Sequence, residues 1–235
     1  KNHLAKYDTV IVFDSQANES FMRKLCKETD GRVVLWHWNI PGENEPDYVG
    51  ILCEHWCFDA GCCKERGWKF NDQFFFDIAA LDTKPEIKRD LLFTGFDKGR
   101  ADKLKEIADT FCKDEVSFEF NILATDREFE PNSGFNKLTG FMPYKDVLNK
   151  TFESKCVLEL LQEGQTGLTT RSLEALFLGK KLLTNNVAIK ERDFYRSENA
   201  FILGEDDPDS FVEFLNTPTV PVDDGIKHYY TFDGW

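Results

Sequence analysis

One stretch of the sequence combines a glycine-containing turn, hydroxyl side chains and an arginine three residues before a glutamate. It covers residues 164–175 and reads GQTGLTTRSLEA. A helix N-terminus presents free N–H groups and a partial positive charge, so a phosphate binds well there. The stretch therefore predicts a turn that cradles a diphosphate, followed at once by a helix.

The turn and the helix start have separate predicted roles. Gly167 has no Cβ and lets a ligand approach closely. Thr169 or Thr170 caps the helix and reaches a phosphate oxygen. Gln165 and Thr166 complete the part of the turn that we expect to face the ligand.

Two charged side chains follow on the first turns of the helix. Arg171 offers a bidentate donor for phosphate, and Glu174 is placed to accept two hydrogen bonds from a ribose diol. The alternative is an ordinary helix start in which Arg171 and Glu174 form a surface pair three residues apart. A single glycine turn is a weak motif, so both interpretations stay open at this point.

The flanking segments predict how the stretch is positioned. An apolar run at residues 156–161 predicts a strand, a helix over residues 172–178 ends at Gly179, and residues 182–184 predict the next strand. Strand, helix and strand in this order make a βαβ crossover. The turn then lies at the carboxyl end of the first strand, where open α/β sheets bind ligands.

The rest of the chain repeats this alternation, which predicts an α/β class with Rossmann-like, mainly parallel sheets. Strands are predicted at residues 9–13, 32–36, 48–53, 91–96, 116–123 and 200–203. Helices are predicted at residues 19–28, 58–66, 101–112 and 208–215, and residues 126–140 are predicted to form a polar loop. A polar segment at residues 81–89 predicts a boundary. We therefore expect domains at 1–88 and 89–216 and a tail at 217–235 that packs back on the first domain.

Composition excludes several classes of protein. Among 235 residues, 42 are acidic and 29 basic, and a net charge of −13 argues against a nucleic-acid surface. It also argues against adhesion to an anionic membrane by overall charge, so at most peripheral membrane association is expected. The sequence has no apolar run of 18 residues, so it predicts no membrane-spanning helix. The first residues lack the apolar core of a signal peptide, and the missing initiator Met leaves open whether residues precede Lys1.

The seven cysteines form no evident disulfide framework, and they predict reduced thiols in a cytoplasmic protein. A zinc site is the alternative for the cluster Cys53, His55, Cys57, Cys62 and Cys63. Adjacent cysteines rarely direct both sulfurs to one metal, so we expect buried thiols, a structural histidine and no metal. His37, at the end of a predicted strand, has a position that suits a cleft, although a single histidine is more often structural.

Four segments of the chain resemble bacterial lipopolysaccharide and capsule biosynthesis proteins. They are residues 164–175, the segment GKKLLTNN from Gly179, the triplet Asp193-Phe194-Tyr195 and residues 199–202. Such proteins resemble the C-terminal half of GT-B glycosyltransferases. The resemblance covers roughly residues 90–204 and extends more weakly to residues 7–12 and 34–39.

This resemblance implies a GT-B-like fold with a shortened or partial N-terminal domain. It implies a C-terminal domain that binds a nucleotide-sugar donor and transfers the sugar to a glycan or glycolipid acceptor, without a cofactor or bound metal. The family's glycine after the first strand matches Gly95, followed by basic residues at Lys98 and Arg100, and its ribose-binding glutamate matches Glu174. Tyr144 lies in the loop and helix start on the same rim and is expected to flank the nucleotide base.

Two departures from the family pattern leave alternatives open. Many GT-B enzymes have a second glutamate eight residues before the ribose glutamate, where this chain has Thr166. The first domain is short, and it usually supplies the acceptor base, so no catalytic residue is assigned. A non-catalytic nucleotide-sugar-binding subunit and a GT-B-shaped epimerase are the alternatives.

Overall fold

A computed structural model describes residues 4–40, 48, 50–76, 85–113 and 115–235. The chain divides into two compact units: Lys1–Gln73, Gln162–Leu168 and Trp235 form the first, and Phe74–Leu161 and Thr169–Gly234 the second. The predicted domain limits and the packing of the tail stay predictions. Residues 77–84, which include part of the expected boundary, lie outside the described residues.

The first unit contains a parallel four-stranded sheet in the order β1-β2-β3-β4. Its strands are β1 (Thr9–Phe13), β2 (Arg32–His37), β3 (Glu54–Cys57) and β4 (Lys69–Phe70), and its helices are α1 (Glu19–Glu28) and α2 (Ala60–Arg66). The Asn18 side chain caps α1 by accepting the Phe21 N–H at 2.9 Å. Gly67 ends α2 in the left-handed conformation.

The core of the first unit lies between α1 and the sheet. Met22 and Leu25 of α1 pack with Val12, Val33 and Leu35 of the two first strands. The burial is expected from the sequence, because β1 and β2 are apolar on both faces like other parallel strands.

The third strand lies later in the chain than the sequence predicts. The run at residues 48–53 predicts a strand there, but the strand is Glu54–Cys57, which pairs with β2. Gly50 has φ +72°, a left-handed conformation that interrupts an extended run. The polar residue Glu54 then begins the strand opposite Val34, and it forms an ion pair with Arg32 at 2.9 Å.

The second unit contains a parallel six-stranded sheet in the order β10-β9-β8-β5-β6-β7. Its strands are β5 (Arg89–Phe96), β6 (Phe118–Leu123), β7 (Phe135–Leu138), β8 (Ser154–Glu159), β9 (Lys181–Thr184) and β10 (Ala200–Ile202). Its helices are α3 (Ala101–Phe111), α4 (Tyr144–Phe152), α5 (Thr170–Leu178), α6 (Phe211–Asn216) and α7 (Asp224–Tyr229). The predicted α/β class with parallel, Rossmann-like sheets is confirmed.

Phenylalanine rings account for much of the core of this unit. Phe111, Phe201 and Phe211 meet edge to face at centroid distances of 5.1–5.9 Å. The prediction of a polar loop at residues 126–140 is wrong for Phe135–Leu138, which form β7. Phe135 packs against Phe118 at 5.3 Å while the β7 backbone pairs with β6, so this edge strand forms despite its polar residues.

The strand order of the second unit places a crevice at one point of the sheet. The chain proceeds from β5 to β6 and β7 on one side, and then to β8, β9 and β10 on the other. In open parallel sheets the loops at the carboxyl ends diverge at such a switch point, and ligands bind there. The point lies between β5 and β8. Across the described ranges, no helix has the length and apolar character to cross a membrane.

Candidate functional site

The carboxylate of Glu159 organises the carboxyl end of β8. It is 2% exposed and accepts the hydroxyls of Thr169 and Ser172 at 2.5 Å and of Thr184 at 2.6 Å. Three hydroxyl donors offset the cost of burying a charged group. They also join the first turn of α5 to β8 and β9, so the helix start is fixed at the crevice.

Thr169 is the N-cap of α5, one of the two residues predicted for this role. Its hydroxyl accepts the Arg171 N–H at 3.1 Å while donating to Glu159. Gly179 ends the helix with φ 62°, as predicted. The first-turn N–H groups of Thr170 and Ser172 have no partner within the helix, because the first N–H groups of any α-helix lack one.

Arg171 and Glu174 form an ion pair in the first turns of α5. Arg171 also donates through Nη2 to the Thr94 carbonyl at 3.2 Å, which connects α5 to the end of β5. Glu174 is 0% exposed, and its Oε1 forms no hydrogen bond of ordinary geometry with the described residues. The pair is therefore not an ordinary surface pair, and it leaves a buried acceptor at the switch point.

Tyr144, the first residue of α4, lies beside the same carboxylate. Partial burial of its hydroxyl, the negative charge of Glu174 and hydrogen bonding to that carboxylate all raise the pKa of Tyr144, and the Arg171 guanidinium opposes them. The phenol therefore stays protonated and can donate a hydrogen bond. The fold thus brings together three of the residues predicted from sequence: Tyr144, Arg171 and Glu174.

The Arg100 guanidinium donates hydrogen bonds to backbone carbonyls around the same crevice. It donates to Leu160 at 2.6 Å, to Phe96 at 2.5 Å and to Asp97 at 3.1 Å. Burial lowers its pKa, and Asp97 opposes that change. Three carbonyl partners give Arg100 a bracing role between the ends of β5 and β8.

Gly95 and Lys98 belong to the loop that follows β5. A Cβ at Gly95 would lie 3.2 Å from the Phe93 ring, so the glycine permits close packing here. Lys98 has φ 47°, in the left-handed region. Partial burial and then the Arg100 charge lower the pKa of Lys98. Among residues that the structure describes, its ammonium has no ion-pair partner.

The turn before α5 belongs to the first unit, and its N–H groups have a protein partner. Asp59 Oδ2 accepts the N–H groups of Thr166 and Gly167, both at 2.8 Å, and Gln165 donates its N–H to Gln162 at 3.1 Å. A Cβ on Gly167 would lie 2.5 Å from the carbonyl oxygen of Phe58. The space left by the missing side chain is thus occupied by backbone.

Glu159 and Asp59 position the site, and the sequence alone does not predict these roles. Glu159 was visible as a single acid within the apolar run at residues 156–161, which is an unusual place for an unpaired charge. The sequence around Asp59 indicates a helix N-cap, and the side chain fills that role by accepting the Cys62 N–H at 2.9 Å. Nothing local indicates its second set of partners.

The histidine and cysteine cluster of the first unit does not have the geometry of a metal centre. Within the described parts of the chain, no three His, Cys, Asp or Glu side chains are grouped to hold an ion. His55 lies between two partners, with Nδ1 3.0 Å from His37 Nε2 and Nε2 3.6 Å from Cys53 Sγ. Cys63 donates instead to the Cys57 carbonyl at 3.4 Å.

Comparison with known proteins finds little similarity in sequence. No family model matches the chain. It is 47% identical over 34 residues to the large ribosomal subunit protein bL31B of Neisseria meningitidis serogroup C (strain 053442), which is 14% of this chain and 37% of that relative. The chain thus spans little more than a third of that protein.

Two solved structures are similar over most of the chain. One is a DNA-modifying β-glucosyltransferase studied with and without uridine diphosphoglucose: TM-score 0.53, 13% identity, 91% of this chain and 71% of that one. The other is AviGT4, a glycosyltransferase of avilamycin A biosynthesis: TM-score 0.55, 14% identity, 92% of this chain and 74% of that one. The fold of this chain is therefore the GT-B-like α/β fold of these glycosyltransferases, as predicted.

Proposed function

We propose that the protein is a glycosyltransferase that moves a sugar from a nucleotide-sugar donor to a surface glycan, lipopolysaccharide or capsule. The observation that carries the proposal is the buried Glu174 carboxylate at the switch point, which Arg171 holds and Tyr144 borders, and whose Oε1 meets no described donor in full hydrogen-bond geometry. A buried carboxylate is stabilised by filling all of its acceptor positions, and a ribose diol supplies two O–H donors for it.

The diphosphate of the donor would lie at the start of α5. The N–H groups of Thr170 and Ser172 and the helix dipole favour an anion there. Lys98, whose ammonium has no ion-pair partner among the described residues, and Arg171 would offset the charge that develops on the leaving diphosphate. In this proposal Gly95 and Tyr144 border the donor, Arg100 braces the crevice, and no metal is needed.

The proposed acceptor and cellular location rest on the sequence. The resemblance of residues 164–175 to lipopolysaccharide and capsule biosynthesis proteins supports a glycan or glycolipid acceptor. The seven cysteines, none of which forms a disulfide, support the proposed cytoplasmic location. We assign no residue as the catalytic base.

Nucleotide titration tests the donor site. Calorimetry with UDP, GDP, CDP and dTDP should identify one nucleotide that binds, and Glu174→Gln or Arg171→Ala should weaken it by about tenfold or more. Glu106→Gln is a matched control, because Glu106 forms an exposed i,i+3 pair with Lys103 on α3. Equal affinity of the wild type and the Glu174→Gln protein would exclude this site.

A non-catalytic nucleotide-sugar-binding subunit is the second candidate. The observation that favours it is that Asp59 already accepts the Thr166 and Gly167 N–H groups, which reduces the donors left for a diphosphate. Release of nucleoside diphosphate from the sugar nucleotide that binds, with acceptor glycan present, separates the two. Turnover lost in the Glu174→Gln protein supports the enzyme, whereas tight binding without turnover supports the subunit.

A further inference from the structure

The second unit contains a cavity that shares Ser172 with the start of α5 but is not lined by Arg171 or Glu174. It has a volume of about 210 Å³ and lies between α5, the start of β9, residues 189–200 and the segment 219–222. Ser172 and Ala175 of α5 line it, whereas Arg171 and Glu174 do not. Arg171 and Glu174 therefore lie on one face of α5, while Ala175 and Leu176 lie on the face toward the cavity.

The body of the cavity is apolar. Its wall is formed chiefly by Ala175, Leu176, Leu182, Ile189, Phe194 and Val222. An engineered apolar cavity of about 150 Å³ is known to bind benzene, so this volume accommodates a single ring with a small substituent.

Two sets of side-chain hydrogen bonds hold the wall of the cavity in place. The Asn199 side chain donates to the Val220 carbonyl at 2.7 Å and accepts the Val220 N–H at 2.8 Å, which fixes the segment 219–222. The Tyr230 hydroxyl donates to Asp193 at 2.9 Å, and its ring meets Phe194 edge to face at 5.0 Å. Fixed walls reduce the cost of ordering the site when a ligand binds.

The charges on the lining have one sign. Lys180, Arg196 and Lys227 line the cavity, and no carboxylate does among the described lining residues. This bias runs against the chain as a whole, whose net charge is −13. Arg196 donates to the carbonyls of Asp193 and Tyr195.

The Lys227 ammonium forms a loose ion pair. Its ammonium lies 4.0 Å from the carboxylate of Asp224, whose side chain is fully exposed. A pair of this kind contributes little in water, so the ammonium can be redirected to a ligand without a large loss.

We propose that this cavity binds a small amphipathic monocarboxylate, with a single aromatic ring or a short alkyl chain in the apolar body and the carboxylate at the cations. The volume selects the size, the wall selects the apolar body, and the excess of positive charge on the lining selects the anion over a neutral analogue. The proposal does not depend on the donor site or on catalysis.

Titration of the intact chain with benzoate and hexanoate, followed by calorimetry or by NMR line shifts, tests this directly. Both acids should bind, and benzyl alcohol, which has the same ring without the charge, should bind about tenfold more weakly. No binding of either acid, or equal binding of acid and alcohol, would overturn the proposal.

Variants locate the binding. Lys227→Met should weaken benzoate about tenfold, while Lys113→Met, an exposed lysine outside the cavity, should not. Leu176→Phe and Val222→Phe fill the cavity from two walls, and either folded variant should lose benzoate binding. Unchanged affinity in the Lys227→Met protein, or in a folded filled variant, contradicts the assignment. Retained nucleotide affinity in these variants keeps the result separate from the donor site.

Discussion

The Asp59 carboxylate accepts the backbone N–H of Gly167 at 2.8 Å, across 108 residues of sequence. The same oxygen accepts the N–H and the hydroxyl of Thr166, while Oδ1 caps α2 through the Cys62 N–H. Burial acts to raise the pKa of Asp59, but these hydrogen bonds outweigh it and lower the pKa. One carboxylate thus fixes the turn that precedes α5.

Asp59→Asn should destabilise the protein. The amide keeps one acceptor oxygen and places an NH₂ group against N–H donors, so at least one buried donor loses its partner. We expect a loss of about 2–3 kcal/mol in the free energy of unfolding, measured with urea at neutral pH. Asp109→Asn, an exposed aspartate on α3, should leave stability nearly unchanged. Equal stability of the two variants would show that Asp59 is dispensable.

The same carboxylate gives a pH dependence of known sign. Because its pKa is lower in the folded state, its stabilisation is present above the unfolded value of about 3.9 and is lost as the pH falls through the folded pKa. The wild type should therefore lose more stability below that pH than Asp59→Asn does. Parallel acid-unfolding curves for the two proteins would contradict this account.

Gly167→Ala should be costly for a steric reason. The new Cβ would lie 2.5 Å from the Phe58 carbonyl oxygen, which is backbone and cannot move aside easily. Overpacking of this kind costs about 1–3 kcal/mol, readable as a lower urea midpoint. Gly140→Ala is the control, since no atom of the described residues lies within 4 Å of the Cβ added there. A midpoint equal to that of the control would show that the turn relaxes.

The sequence predicted α5 and its flanking strands well, because their signals are local. Thr169 caps the helix, Gly179 ends it, and apolar runs mark β8 and β9. The partners of Gly167 were not predictable, since Asp59 is distant in sequence and its contact depends on the tertiary fold. The edge strand β7 was missed for the same reason, because pairing with β6 decides it rather than its own residues.

Glu159 should be needed for the helix start. Glu159→Ala removes the acceptor of three hydroxyls and leaves a cavity, so we expect a loss of about 3–5 kcal/mol in stability. Glu159→Gln keeps the shape and one acceptor, so it should lose less. Urea unfolding of both proteins measures the difference, and Glu153→Gln, an acid outside the crevice that forms ion pairs with Lys88 and Arg89, gives the background. A larger loss in Glu159→Gln than in Glu159→Ala would refute the anchoring role.

Arg171→Lys tests geometry separately from charge. The guanidinium reaches the Thr94 carbonyl and Glu174 at the same time, which a single ammonium cannot reproduce. If the proposed donor site is correct, Arg171→Lys should lose about tenfold in nucleotide affinity although the charge is kept. Lys105→Arg, an exposed exchange on α3, is the matched control. Full affinity in Arg171→Lys would mean that the charge alone is needed.

His37 should make the stability fall as the pH drops from neutral. The residue is 1% exposed, and its ring stacks on Trp68 at 3.8 Å. Burial, followed by the charges of His55 and Arg66, lowers its pKa from 6.5 to about 3. The folded state therefore binds its proton less readily than the unfolded state, so stability is complete above pH 6.5 and declines between that value and the folded pKa.

Because of His37, the free energy of unfolding should fall by about 1 kcal/mol per pH unit between pH 6.5 and the folded pKa. Urea unfolding at several pH values between neutral and about 4.5 measures it, above the range where carboxylates titrate strongly. His37→Phe keeps an aromatic ring against Trp68 without a titratable group, so its slope should be flatter than that of the wild type. His228→Gln, at an exposed position, should keep the wild-type slope. If His37→Phe also keeps that slope, the pH dependence comes from another group.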